Sequence, residues 1–191
     1  EKEKGIKKYE EGYAKGDMRS AYVLGAAYDQ EGNLEKAMYW YEKGAEGGNV
    51  LAQFKLALSY EQLNDEKLSE KWYLRAAEQD YVDAQYNLGN LYVRKKEYEK
   101  AKKWYLEAIK QGDIKSKNNL GAVYLEEGNY IEAEKYFLEL AELGEDKVEY
   151  NLGSLYEEKK EYGKAKEWYS KAAKSGNKRA IWKLKEMKVR E

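Results

Sequence analysis

Asparagines stand at 87, 119 and 151, each thirty-two residues after the last. An amide carries both donors and acceptors, so a ladder of amides can pair with the backbone of an extended peptide without reading its side chains. One residue earlier, at the same step, the chain reads Tyr22, Phe54, Tyr86, Asn118, Tyr150 and Trp182. Rigid rings in a line are suited to anchoring a partner. Asn90 and Asn118 sit close by and extend the polar lining. The candidate partner-binding residues are therefore Asn87, Asn119, Asn151, Asn90, Tyr22, Phe54, Tyr86, Asn118 and Tyr150. A packing reading stands beside this one. The amides would bond between neighbouring helices, and each ring would pack against the first helix of the next unit.

Other chemistries are poorly served. The 191 residues include no His, no Cys and no Pro. Without imidazole or thiol there is no Ser-His-Asp constellation, thiolate nucleophile, iron–sulfur site or usual zinc site. Acidic residues are plentiful, but none falls in an apolar pocket pattern that would raise one carboxyl pKa. The glycines do not form a phosphate-binding loop of Walker or Rossmann spacing. No catalytic residue, cofactor or metal site is expected, and the protein reads as no enzyme. The charge balance of 35 Lys+Arg against 36 Asp+Glu argues against the broad positive field of a nucleic-acid binder. The charges are blocky along the chain, with residues 94–117 and 171–191 basic and residues 121–161 acidic. No apolar run reaches the roughly 18 residues of a membrane span. The compartment stays open: cytoplasmic, or exported after loss of a segment ahead of Glu1.

The elements that must position these columns follow from the same period. Tyr28, Tyr60, Tyr92, Tyr124 and Tyr156 keep the step, as do Leu24, Leu56, Leu88, Leu120, Leu152 and Leu184. Gly25, Ala57, Gly89, Gly121 and Gly153 form a small-residue column; Tyr9, Tyr41, Tyr73, Tyr105, Phe137 and Tyr169 form an aromatic one. So many columns in phase define a repeat protein. Within one period, Met18 to Glu31 places Ala21, Leu24, Ala27 and Tyr28 on one helical face, Gly32-Asn33 supplies a turn, and Leu34 to Gly47 forms a second helix. Gly48 ends that helix and Asn49 caps the next. Position 22 lies roughly 200° around the helix from Leu24, so its ring is expected to point away from the core of its own pair. The bulky column Trp40, Trp72, Trp104, Tyr136 and Trp168 is expected to pack at the edge of the second-helix core face. Tyr98, Tyr130 and Tyr162 begin second helices and are expected to seal the turns.

The repeated Leu24-Gly25-x-x-Tyr28 … Ala37-x-x-x-Tyr41 resembles the tetratricopeptide repeat over essentially the whole chain. Segments such as Ala84-Gln85-Tyr86-Asn87-Leu88-Gly89 and Ala101-Lys102-Lys103-Trp104-Tyr105 resemble its Sel-like relatives. The chain departs in its shorter period, in Gly where the family has a proline after the second helix, and in lacking the early tryptophan column. The resemblance implies a right-handed α-solenoid whose first helices line a concave surface, and an adaptor role. It also implies that Asn87, Asn119 and Asn151 bind the partner, as asparagines at that position do in the family.

The expected fold is therefore an all-α solenoid of five helix pairs starting near 18, 50, 82, 114 and 146. A lone helix at 2–14 precedes them and a polar capping helix at 178–190 follows, all within one domain, 1–191. The expected function is a non-catalytic scaffold for an unidentified peptide or protein, monomeric or weakly self-associating. Self-association through the ends or the exposed aromatic face is the alternative, and a nucleic-acid-binding helical repeat is a more distant one.

Overall fold

In a computed structural model, residues 2–145 and 148–189 are described, and they form two compact units, residues 1–91 and 92–191. Among the described residues there are twelve α-helices and no strand.

The first unit holds α1 (Lys2–Ala14), α2 (Met18–Gln30), α3 (Leu34–Glu46), α4 (Val50–Gln62), α5 (Glu66–Ala77) and most of α6 (Val82–Arg94). The starts are set by short polar side chains that accept otherwise unpaired N–H groups of the first turn. Asp17 accepts from Arg19 at 3.0 Å, Asn33 from Lys36 at 3.1 Å, Asn49 from Ala52 at 2.9 Å and Asp65 from Leu68 at 3.0 Å. The ends are closed by a bond from beyond the helix back to its last turn, as in Asn33 N–H to Tyr28 O at 2.9 Å and Asn49 N–H to Gly44 O at 2.9 Å. That closure needs one left-handed residue, supplied by Gly16, Gly32 and Gly48, and at higher cost by Asn64 and Asp80. Successive helices α1 to α5 pack in antiparallel order, and α2 also meets α4. The core is thin and regular: Leu24, Leu56, Leu88, Tyr41 and Tyr73 are fully buried. The ring of Tyr41 lies directly against Gly25, where a Cβ would overlap it.

The second unit holds the end of α6, then α7 (Tyr98–Lys110), α8 (Ile114–Glu126), α9 (Tyr130–Glu142), α10 (Glu149–Glu158), α11 (Tyr162–Lys174) and α12 (Lys178–Val189). Each helix from α7 onward packs on the next. Its core repeats the first unit's: Leu120, Leu152, Tyr105, Phe137 and Tyr169 are buried, and Gly121 and Gly153 lie under the rings of Phe137 and Tyr169. Asp113 and Asn129 cap α8 and α9, whereas Glu97 and Glu161 precede α7 and α11 without a side-chain cap.

The expected start of the fifth pair near 146 falls on Asp146 and Lys147, outside the described residues; α10 itself runs from Glu149. Arg190, the expected end of the capping helix, also lies outside them. The polar character expected of α12 is incomplete, because Ile181 and Trp182 are 40% and 57% exposed. Tyr162 is 57% exposed and seals no turn.

Candidate partner-binding face of the first helices

The core tyrosine of each second helix organises this face. In three of the five pairs its hydroxyl reaches a carboxylate four residues after the small residue under its ring. Tyr41 donates to Asp29 at 3.4 Å, Tyr73 to Glu61 at 2.6 Å and Tyr169 to Glu157 at 2.6 Å. Burial, then the adjacent carboxylate, pushes the Tyr41 and Tyr169 phenols well above their ordinary pKa, so both remain donors at neutral pH. The two remaining pairs show why the arrangement is chemical. Where the acid becomes Leu125, the tyrosine becomes Phe137, so no buried hydroxyl loses its acceptor. Where it becomes Val93, Tyr105 keeps its hydroxyl and instead accepts from Asn119 Nδ2 at 3.5 Å.

On this frame the aromatic column takes a different place from the one expected. Tyr22 lies 6.2 Å from Tyr41, Phe54 lies 5.9 Å from Tyr73 and Tyr150 lies 5.5 Å from Tyr169, ring centroid to ring centroid. Each ring thus rests on the core tyrosine of its own pair instead of facing away. The cause is the small residue three positions on: Gly25, Ala57 or Gly153 lets the partner's ring spread across the helix, and its edge emerges beside the i−3 side chain. Tyr22, Phe54, Tyr86, Asn118 and Tyr150 are half-buried, and Trp182 is exposed.

The asparagine column is half-buried at Asn87, Asn119 and Asn151, and Asn90 likewise. In the second unit its members reach the preceding pair. Asn151 Nδ2 donates to Asn118 Oδ1 at 2.9 Å, joining α10 to α8, and Asn119 joins α8 to α7 through Tyr105. Lys183, the next member of the column, donates to Glu157 at 3.1 Å. Asn118 and Asn151 are thus brought together, as are Asn119 and the Tyr105 hydroxyl.

Sequence reasoning missed Tyr81. It occupies the helix-capping column of Asp17, Asn49, Asp113 and Asn177, and its ring lies 5.0 Å from Phe54. The break in that column, a ring where Asp17, Asn49, Asp113 and Asn177 cap their helices, was the available signal. The bulky second-helix column packs as expected: Trp72 and Trp104 are buried, and Tyr136 stacks on Tyr124 at 5.8 Å. Among the described residues no three acidic side chains gather as a metal site would require. No described helix is long and apolar enough to cross a membrane.

The fold and this face define a class: an all-α scaffold of helix–turn–helix repeats. The Sel1 repeat matches residues 14–49 and 50–81, and the tetratricopeptide repeat matches residues 82–111, 114–147 and 150–175. A Sel1 repeat protein from Oxalobacter formigenes is 31% identical, over 88% of this chain and 75% of that one, with a TM-score of 0.68. A protective antigen of uropathogenic Escherichia coli with an SLR fold is 26% identical, over 92% of this chain and 50% of that one, with a TM-score of 0.60. YrrB, described as a tetratricopeptide protein with an unusual peptide-binding site, shares the fold at 22% identity and a TM-score of 0.78, covering 95% of this chain and 97% of its own. No curated protein matches. The chain belongs to the tetratricopeptide/Sel1 repeat family. Repeats of this kind generally act as scaffolds for protein–protein interaction.

Proposed function

We propose that the protein is a non-catalytic scaffold that binds a peptide or protein along the face of its first helices. One observation carries the reading: at positions 22 and 23 of the repeat, rings and amides stay half-exposed while the leucines and small residues that follow them at 24 and 25 are closed to solvent in the helix pairs. A surface built only for packing would bury them or make them charged. The peptide-binding site described for YrrB supports the same class of function. The unbroken period also supports treating residues 1–191 as one repeat domain.

Asparagine side-chain amide signals test this directly. A peptide selected from a displayed twelve-residue library is titrated into 15N-labelled protein. The Asn87, Asn119 and Asn151 amide resonances are expected to shift. Shifts confined to second helices would place the partner elsewhere. Deleting all three amides is a blunter test, because Asn119 and Asn151 also join helices, at about 1 kcal/mol for each bond.

The exposed Ile181 and Trp182 of α12 favour one second reading, self-association. A single monomeric species in sedimentation at high concentration would remove it.

A further inference from the structure

Several rings away from the first-helix face already carry a cation of this chain. Lys36 lies over Tyr28, Lys43 over Tyr39, Lys103 over Trp104, Lys102 over Tyr124 and Lys135 over Tyr136. Trp72 takes Lys71 and Arg75, and Tyr92 takes Lys95 and Lys100. Tyr156 takes Lys159 and Lys164, and Trp168 takes Lys171 at 3.8 Å. Among the described residues, no lysine or arginine stacks on Tyr22, Phe54 or Tyr81.

Those three rings form one patch. Phe54 and Tyr81 are 5.0 Å apart, and Tyr22 stands on α2, which packs on α4, the helix of Phe54. All three are half-buried, so each offers part of a ring to solvent. Carboxylates stand at the rim. Asp83 is exposed and accepts from the Tyr81 hydroxyl at 3.4 Å, and Asp29 is exposed and accepts from Tyr41. Arg19 stands on α2 and Lys55 on α4, and neither stacks on these rings. Their charges disfavour a polybasic run and leave room for a single cation.

We propose that Tyr22, Phe54 and Tyr81, with Asp83 and Asp29, form a subsite for one lysine or arginine side chain of a bound peptide. Its aliphatic stem lies on the rings and its charged head meets their faces and the Asp83 carboxylate. The inference rests on the scaffold reading above and adds which side chain that scaffold selects.

The test uses twelve-residue peptides selected by display against the full chain, then synthesised with each lysine or arginine replaced in turn by norleucine. Selected peptides are expected to share one lysine or arginine. Its replacement should weaken binding about tenfold by fluorescence anisotropy, and Tyr81→Leu and Asp83→Asn should each cost about three- to tenfold. Tyr81→Leu keeps an apolar contact with Phe54, and Asp83→Asn changes an exposed rim residue, so both keep the fold. In Tyr81→Leu the norleucine penalty should shrink. Peptides that bind and shift first-helix signals, yet tolerate norleucine at every position, overturn the subsite alone. Failure to select any peptide removes the scaffold reading and the subsite together.

Discussion

The two units share one period and one core but are stitched from pair to pair by different chemistry. In the first, Gln53 and Gln85 are buried, and each donates at 3.2 Å to the carbonyl that ends the preceding second helix, Ala45 or Ala77. Gln79 donates in turn to Gln53 at 2.7 Å. In the second, the same column holds Lys117 and Glu149. Lys117 reaches out to Glu139 at 2.6 Å, and Lys102–Glu127, Lys159–Glu134 and Lys183–Glu157 form ion pairs from one pair to the next at 3.0, 2.7 and 3.0 Å. A buried amide–carbonyl bond is hidden from salt, whereas partly exposed ion pairs are screened by it. One repeat geometry therefore tolerates two kinds of stitching, because the leucine, glycine and tyrosine columns set the geometry first.

That ordering predicts where the units must behave alike. Gly25→Leu and Gly153→Leu place a side chain into the rings of Tyr41 and Tyr169, which are fully buried and cannot move aside. Each is expected to destabilise by about 3 kcal/mol in urea melts. A cost below about 1 kcal/mol in one unit alone would show that the two cores are not equivalent. Ala57 already occupies this column against Tyr73, so the position accepts one methyl once the backbone has adjusted.

The stitching itself predicts a difference. Gln53→Ala removes two side-chain hydrogen bonds, one to the Ala45 carbonyl, which keeps Gly48 N–H, and one from Gln79, for a loss of about 2 kcal/mol that should not change with salt. Lys183→Ala removes one partly exposed ion pair between successive repeats, for a loss of about 0.5 kcal/mol that should fade in molar salt. Equal losses with equal salt dependence would erase the contrast between the units.

Much of this was legible in the sequence. The Leu, Tyr and Gly columns located nearly every helix and turn, because a rigid period repeats the same burial demand at each unit. The tilt of the aromatic column was not legible. Helical geometry places Tyr22 on its own helix, but a neighbour's ring spreading over Gly25 decides what it touches, and that is a property of the pair. The asparagines were visible as a ladder, yet their bonds to Asn118 and Tyr105 depend on which acids the first helices happen to lack. Tyr81 was passed over because a capping column is read for caps, and a ring in that place looks like a gap.

An effect of the opposite sign tests how far the core is optimised in each unit. Ser69 and Ser116 are fully buried, one per unit, and neither hydroxyl has a partner among the described residues. Ser69 stands in a column otherwise filled by Ala37, Ala101, Ala133 and Ala165. Ser116 is the counterpart of Ser20, whose hydroxyl donates to Asp17 at 2.7 Å. In the second unit the matching Asp113 oxygen takes the Ser116 backbone N–H at 2.7 Å instead, which leaves the hydroxyl stranded. Alanine at either site removes a desolvated polar group and gains helix propensity, so Ser69→Ala and Ser116→Ala should each stabilise by about 0.5–1 kcal/mol. Ser20→Ala, by contrast, loses a bond and should destabilise. If Ser69→Ala lowers the melting temperature while Ser116→Ala raises it, the first unit's buried polar groups support its packing in a way that the second unit's do not.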